Sequence, residues 1–203
     1  LLVRALHVRR VVAGAVMDDI NGRWKDCADM LANSDSVSSV AFFFAVKLQK
    51  EIGIPVAFID CPWGGMRIES FIPDEGYKAI NGALPVHGKT PGLKRAEAEL
   101  RAVADDARVA AEAAAKGRTV GFSTMYPIYG QAPNSICNAM ISPVAPYALR
   151  GAIWYQGESN WGQPDYFQKL QALSAGWSQI FEVKDIPILQ VQIAPNHMNG
   201  QAK

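Results

Sequence analysis

Cysteine is scarce in this chain. Cys27, Cys61 and Cys137 are the only three in 203 residues. They form no CxxC or Cys/His cluster, so neither a disulfide framework nor a zinc spacing can be argued from them. Net charge is almost absent as well: 20 Lys and Arg face 19 Asp and Glu, a formal +1. That balance offers no electrostatic footprint for nucleic acid or an anionic membrane surface. No apolar run approaches the roughly 18 residues of a membrane-spanning helix. No charged-then-apolar leader opens the chain, which starts at Leu1 rather than Met and so says nothing of what precedes it. There is no Asn-x-Ser/Thr sequon, no GxGxxG fingerprint, no internal repeat and no low-complexity tract. The partner these absences leave is a neutral or modestly charged small molecule, with no nucleic acid and no membrane.

What the chain does have is core material, 49% apolar with 9% aromatic, enough for one globular domain. LLVRALHVRRVVAGAV reads as a strand or pair of strands, followed by a polar turn at Asp18 to Gly22. Ser36 and Ser38 precede a helix whose Val40, Phe43, Phe44, Leu48 and Ile52 recur at helical spacing and predict its buried face, with Gly53 as the stop. IPVAFIDC predicts a strand buried on both faces. From Ile72 to Gly92 the sequence is loop-like, with Pro73, Pro85, Pro91 and four glycines. A long Ala- and charge-rich helix from Lys94 to Gly117 follows, and its narrow seam predicts a solvated surface element, so 72–134 reads as an insertion. ICNAMISPVAPYAL predicts a short helix broken at Pro143 and Pro146. GAIWYQ then reads as a strand, about Tyr166 to Phe181 as a helix, and ILQVQIAP as a last strand. This order is that of an α/β protein with a mainly parallel sheet and helices on both faces.

In open parallel sheets a ligand site lies beyond the carboxyl ends of the strands. Here those ends read CPWGGM, QGESN and APNH. Gly64 and Gly65 let backbone amides approach a ligand as an oxyanion site requires, and equally suit a plain tight turn. QGESN crowds Gln156, Glu158, Ser159 and Asn160 onto the end of an apolar strand. Left unpaired on burial, such groups would cost several kcal/mol, so they must face each other or a site. A helix cap accounts for Ser159 or Asn160 alone. Gln156 can donate its amide to a developing oxyanion, and Glu158 can orient a neighbour or act as acid or base. Gly157-Glu158-Ser159 begins like a GxSxG nucleophile elbow, but Trp161 stands where the second glycine belongs, which argues against Ser159 as nucleophile. His197, just past the last strand, suits substrate contact or a loop position better than base catalysis, and His7 and His87 have weaker claims. Trp63, Trp154 and Trp161 flank the polar turns and can stack on a sugar or simply pack.

These segments together resemble the sialate O-acetylesterase family of the wider SGNH hydrolases. The matching pieces are NGRWKDC, SSVAFFFAVKLQKEIGIPVAFID, PWGGMRIESF, ICNAMISPVAPYALRGAIWYQGESN and IPILQVQIAP, in order over nearly the whole chain. The resemblance implies a three-layer α/β/α, flavodoxin-like sandwich over residues 1–203 and a serine esterase that removes O-acetyl groups from sugars, with no metal or cofactor. It implies an extracytoplasmic compartment, periplasmic or secreted. The family's GQSN-type nucleophile motif and DxxH-type base motif are absent from this sequence, so both segments are expected outside it. By its matching turn, Gly65, and with it Gly64, would offer a backbone amide to the oxyanion and Gln156 its side-chain amide. Glu158 and Asn160 would support the site or contact the sugar, and Asn138 would face it or serve equally as a cap or loop support. Met66 departs from the family's small hydroxylated residue, with an effect expected on acyl-pocket polarity, and Ser178 departs from a common arginine. The alternative function is a catalytically inactive carbohydrate-binding homologue.

Overall fold

The computed structural model describes residues 1–32, 37–80 and 132–194. The expected surface helix, most of the 72–134 insertion, His87 and His197 lie outside the described residues. Three strands form one sheet in the order β2-β1-β3: β1 is Val3–Val8, β2 Gly22–Lys25 and β3 Val56–Asp60. β1 and β3 are parallel, with Val3 opposite Val56 and His7 opposite Asp60. The sheet is nonetheless mixed, because β2 returns antiparallel to β1 with Ala5 opposite Lys25 and Val8 opposite Gly22. The expected polar turn is confined to 18–21, since Gly22 already opens β2, and the second strand comes after it rather than before it. A separate parallel pair joins β4, Ala152–Trp154, to β5, Ile188–Gln190.

β1 is covered on both faces. Val3 and Ala5, on one face, pack with Met30 of α1 (Cys27–Ala32) and Ala45 of α2 (Ser39–Ile52). Leu6 and Val8, on the other, join the larger core of Met66, Ile72, Met140, Leu173 and Trp177. Period-2 geometry sends successive side chains to opposite faces, and because β1 carries apolar residues on both, it needs two covering layers.

Three sequence expectations change here. α2 begins at its Ser38 cap and ends at Gly53 in the left-handed conformation, as expected, but the seam it turns to the core is buried Ala45 flanked by half-buried Phe42 and Val46. Phe43 is 69% exposed, and Phe44 and Ile52 are also exposed. The region after Ile72 is not all loop, since α3 occupies Asp74–Ala79. ICNAMISPV forms a π-turn at Cys137–Ile141 and a short 3-10 turn at Ser142–Val144 in place of a regular helix.

The long helix α4, Tyr166–Ile180, packs against α3 at van der Waals limits. A Cβ added to Gly76 would stand 2.2 Å from the Ala172 carbonyl oxygen, and one added to Gly176 would stand 2.5 Å from Pro73 Cγ. Only glycine allows that approach. Trp177 donates its indole N–H to the Phe71 carbonyl at 3.0 Å, and Trp154 meets Phe71 and Trp177 edge-on at centroid distances of 5.2 and 6.1 Å. This aromatic floor lies under the end of β4.

Candidate active site

β4 ends at Trp154, and the chain continues through Tyr155, Gln156 and Gly157 into a 3-10 turn at Glu158–Asn160. β3 ends at Asp60 and passes through the glycine turn into a second 3-10 turn, Ile68–Phe71. Gly65 has φ 76°, a left-handed conformation that favours glycine. The two strand ends are stitched side by side. Gln156 Nε2 donates to the Met66 carbonyl at 2.9 Å, Ser159 Oγ donates to the Gly65 carbonyl at 2.8 Å, and the Ile68 amide donates to Asn160 Oδ1 at 2.9 Å.

Behind the stitch the polar groups bond to one another. Asn160 is 2% exposed, and its side chain makes four bonds. Oδ1 accepts from Ile68 N and from Gln156 Nε2, while Nδ2 donates to Glu69 Oε2 and to Gln163 Oε1, the last three at 2.8 Å. Tyr166 donates its hydroxyl to Gln156 Oε1 at 2.8 Å and accepts from Trp154 Nε1 at 3.1 Å. Burial pushes the Tyr166 hydroxyl above its ordinary range against the opposing Trp154 bond, which keeps it a neutral donor. Lys169 of α4 is 1% exposed and meets Glu69 Oε1 at 2.8 Å, Asp165 Oδ1 at 3.0 Å and Gln163 Oε1 at 2.6 Å. Burial pushes the Glu69 carboxyl upward, but its bonds with Lys169 and Asn160 outweigh that and hold it below the usual carboxylate range.

The sequence-derived site residues therefore separate. Gly64, Gly65, Gln156, Ser159 and Asn160 come together. Gln156 stands differently from the oxyanion donor expected of it: both hydrogens of its amide nitrogen are engaged, with Met66 O and Asn160 Oδ1, which makes it a brace between the turns. Glu158 is exposed at the rim. Asn138 does not bond to either turn; its Nδ2 donates to the Ala13 carbonyl at 3.3 Å and its carbonyl accepts from Met17 N, so it braces the segment after β1. Met66 is packed into the core rather than lining an open acyl pocket. Ser178 Oγ accepts from Ile186 N at 3.0 Å, tying α4 to the approach to β5. Trp154 is floor, whereas Trp161 is exposed.

Glu69, Gln163, Asp165, Tyr166 and Lys169 were missed by sequence reasoning. A signal existed for one of them. Lys169 falls between Tyr166 and Leu173 on the apolar stripe of α4, with Asp165 four residues before it, the position of a buried paired charge rather than a solvated one. A second polar pair joins β1 to β3. His7 Nδ1 lies 2.9 Å from Asp60 Oδ2, and Asp60 Oδ1 accepts from the Ser38 amide at 3.1 Å. Nothing in the sequence marks those partners, which are 53 residues apart and meet only through the β1–β3 register. Among the described residues no group of three or more His, Cys, Asp and Glu is placed to hold a metal ion, and no helix is long and apolar enough to cross a membrane.

Comparison with known proteins adds an independent line. The family described as carbohydrate esterase, sialic acid-specific acetylesterase matches residues 19–203. The rat sialate O-acetylesterase is 29% identical over 173 residues, covering 82% of this chain and 30% of the rat protein. The human sialate O-acetylesterase is 24% identical over 188 residues, covering 88% of this chain and 29% of the human protein. This chain thus spans under a third of the length of those relatives. A crystal structure of a carbohydrate acetylesterase from Xanthomonas citri superposes with a TM-score of 0.65 at 23% identity, over 96% of this chain and 35% of that one, a likeness of fold.

Proposed function

The chain belongs to the carbohydrate esterase, sialic acid-specific acetylesterase family, and from that premise we propose that the full-length protein removes O-acetyl groups from an acetylated carbohydrate by a serine-esterase route. This chain supplies the oxyanion side of the site. The observation that carries the reading is the stitching of the Gly64–Gly65 turn to QGESN at three points, which fixes a glycine turn at the carboxyl end of a parallel strand. Both faces of β1 are buried, which supports the two sheets as parts of one three-layer α/β/α sandwich.

In this mechanism a serine outside these residues attacks the acetyl carbonyl while a base takes its proton. The backbone amides of Gly64 and Gly65 receive the developing oxyanion. Collapse of the tetrahedral intermediate breaks the bond to the sugar oxygen, which takes the proton from the protonated base and leaves as a hydroxyl, and water then releases acetate from the acyl-enzyme. Gln156 and Asn160 hold the donors still. Ser159 is not the nucleophile in this reading, since its hydroxyl is spent on the Gly65 carbonyl. Glu158, exposed at the rim, is the group of QGESN available to the sugar.

The test is acetate release by the full-length protein from O-acetylated sialic acid and from acetylated xylan. Turnover on either, retained in Ser159→Ala to within about tenfold, is the expected result. Sugar binding without any acetate release would overturn the esterase reading in favour of a carbohydrate-binding homologue, and abolition of turnover by Ser159→Ala would restore that serine as nucleophile.

A further inference from the structure

We infer that Lys169 is a positioning residue of this site, acting through Glu69 and Asn160 on the glycine turn; the inference rests on the esterase reading above. An ammonium has three donors, and Lys169 has three acceptors within 3.0 Å: Glu69, Asp165 and Gln163. They come from three places in the chain: the 3-10 turn after β3, the N-cap of α4, and the segment joining QGESN to α4. A buried lysine is rare unless paired, and this one ties together the two strand ends that make the site. Glu69 is the relay. Its Oε1 faces Lys169 and its Oε2 accepts from Asn160 Nδ2, whose Oδ1 in turn holds the Ile68 amide and the Gln156 amide. Gln156 then fixes the carbonyl of Met66, the residue next to Gly65. The orientation of the Gly64–Met66 peptides therefore depends on a charge that touches neither substrate nor reacting atoms.

Gln163 closes the loop, accepting from both Lys169 and Asn160. With the ammonium gone, Glu69 and Asp165 lose the buried cation they share, and the relay loses the charge that orders it. The effect should fall on transition-state stabilisation rather than on sugar binding, because displaced oxyanion donors cost rate and leave rim contacts in place.

The test uses the full-length protein in Lys169→Met, Glu69→Gln and the double variant. In Lys169→Met kcat should fall about 100-fold, the scale of a roughly 1 Å misplacement, with KM changed less than about threefold. The double variant should regain at least about tenfold of that loss, since the amide oxygen introduced by Glu69→Gln still accepts from Asn160 and one of the two carboxylates that shared the cation is neutral. A fall in melting temperature with unchanged kcat in the folded enzyme would overturn the proposal and leave Lys169 a stabilising residue only. So would a double variant no faster than Lys169→Met. Amide NMR separates this from the esterase reading itself. In Lys169→Met and in Glu69→Gln the Gly65, Met66 and Ile68 amide resonances should shift while those at Ser38 and Asp60 hold. If the wild type releases no acetate but these amides shift, the esterase reading fails and the relay stands; unshifted amides overturn the relay whatever the activity.

Discussion

α2 and α4 are nearly the same length, 14 and 15 residues, and each begins just after a polar cap position, yet they are buried in opposite ways. α2 carries three consecutive phenylalanines and buries only Ala45, leaving Phe43 and Phe44 exposed. α4 buries Ala172, Leu173, Gly176, Trp177 and a lysine. The difference is one of fit. At α4 the neighbour α3 comes so close that only Gly76, Gly176 and Ala172 can stand in the seam, while the contact of α4 with the Ile68–Phe71 turn brings Lys169 to Glu69. At α2 the sheet face is met by small Ala45, so the large rings beside it turn outward. Apolar content sets how much a helix could bury, and the shape of its partner sets what it does bury.

The largest test of that contrast is Gly76→Ala. A methyl group 2.2 Å from a backbone oxygen forces α3 and α4 apart, with an expected loss of about 3 kcal/mol. In a chain of this size that is about 6–12 °C in Tm by calorimetry, and an unchanged Tm would mean that the seam can open to admit a methyl group. A smaller effect is expected in acid. The Glu69 carboxyl is held below its ordinary value in the folded protein, so its contribution is fully present above the unfolded value of about 4.3 and is lost as pH falls through the folded one. Urea stability of wild type should therefore exceed that of Glu69→Gln at neutral pH, and the gap should close below about pH 4. A constant gap across pH would deny the ionised pair.

On the α2 side the effects should be slight. Ser38→Ala removes a long cap bond of 3.4 Å to the Ala41 amide while leaving the Ser38 backbone on Asp60, so about 0.5–1 kcal/mol is expected, read from denaturant midpoints. Phe43→Ser should change stability by less than about 0.5 kcal/mol and leave activity as it was. A large loss there would show that the outward ring is packed and would make the two helices alike.

Much of the frame was legible in the residues. Ser38 and Gly53 bound α2, Tyr166 opens α4, and GAIWYQ and IPVAFID each contain a strand. These are local signals, carried by caps, breakers and apolar runs. The antiparallel β2 was not legible in place, because its four residues, three of them exposed, have no alternating apolar face. α3 was hidden by Pro73 and Gly76, read as loop signals; the proline precedes the first turn, where a missing N–H costs nothing, and the glycine makes room for α4.

The candidate site divides along the same line. The sequence by itself determined that QGESN and the glycine turn are crowded, hydrogen-bonding strand ends, because so many polar groups beside apolar strands must find partners or a ligand. Only the tertiary structure decided which partners. It joined Gln156 to Met66 and Asn160 to Glu69 and Ile68, turned Asn138 toward Ala13, brought His7 to Asp60, and placed Lys169 behind the whole assembly. The physical reason is range. Caps and periodicity act over a few residues, while a hydrogen bond between positions 90 apart, such as that from Gln156 to Met66, exists only once packing has set its ends within 3 Å.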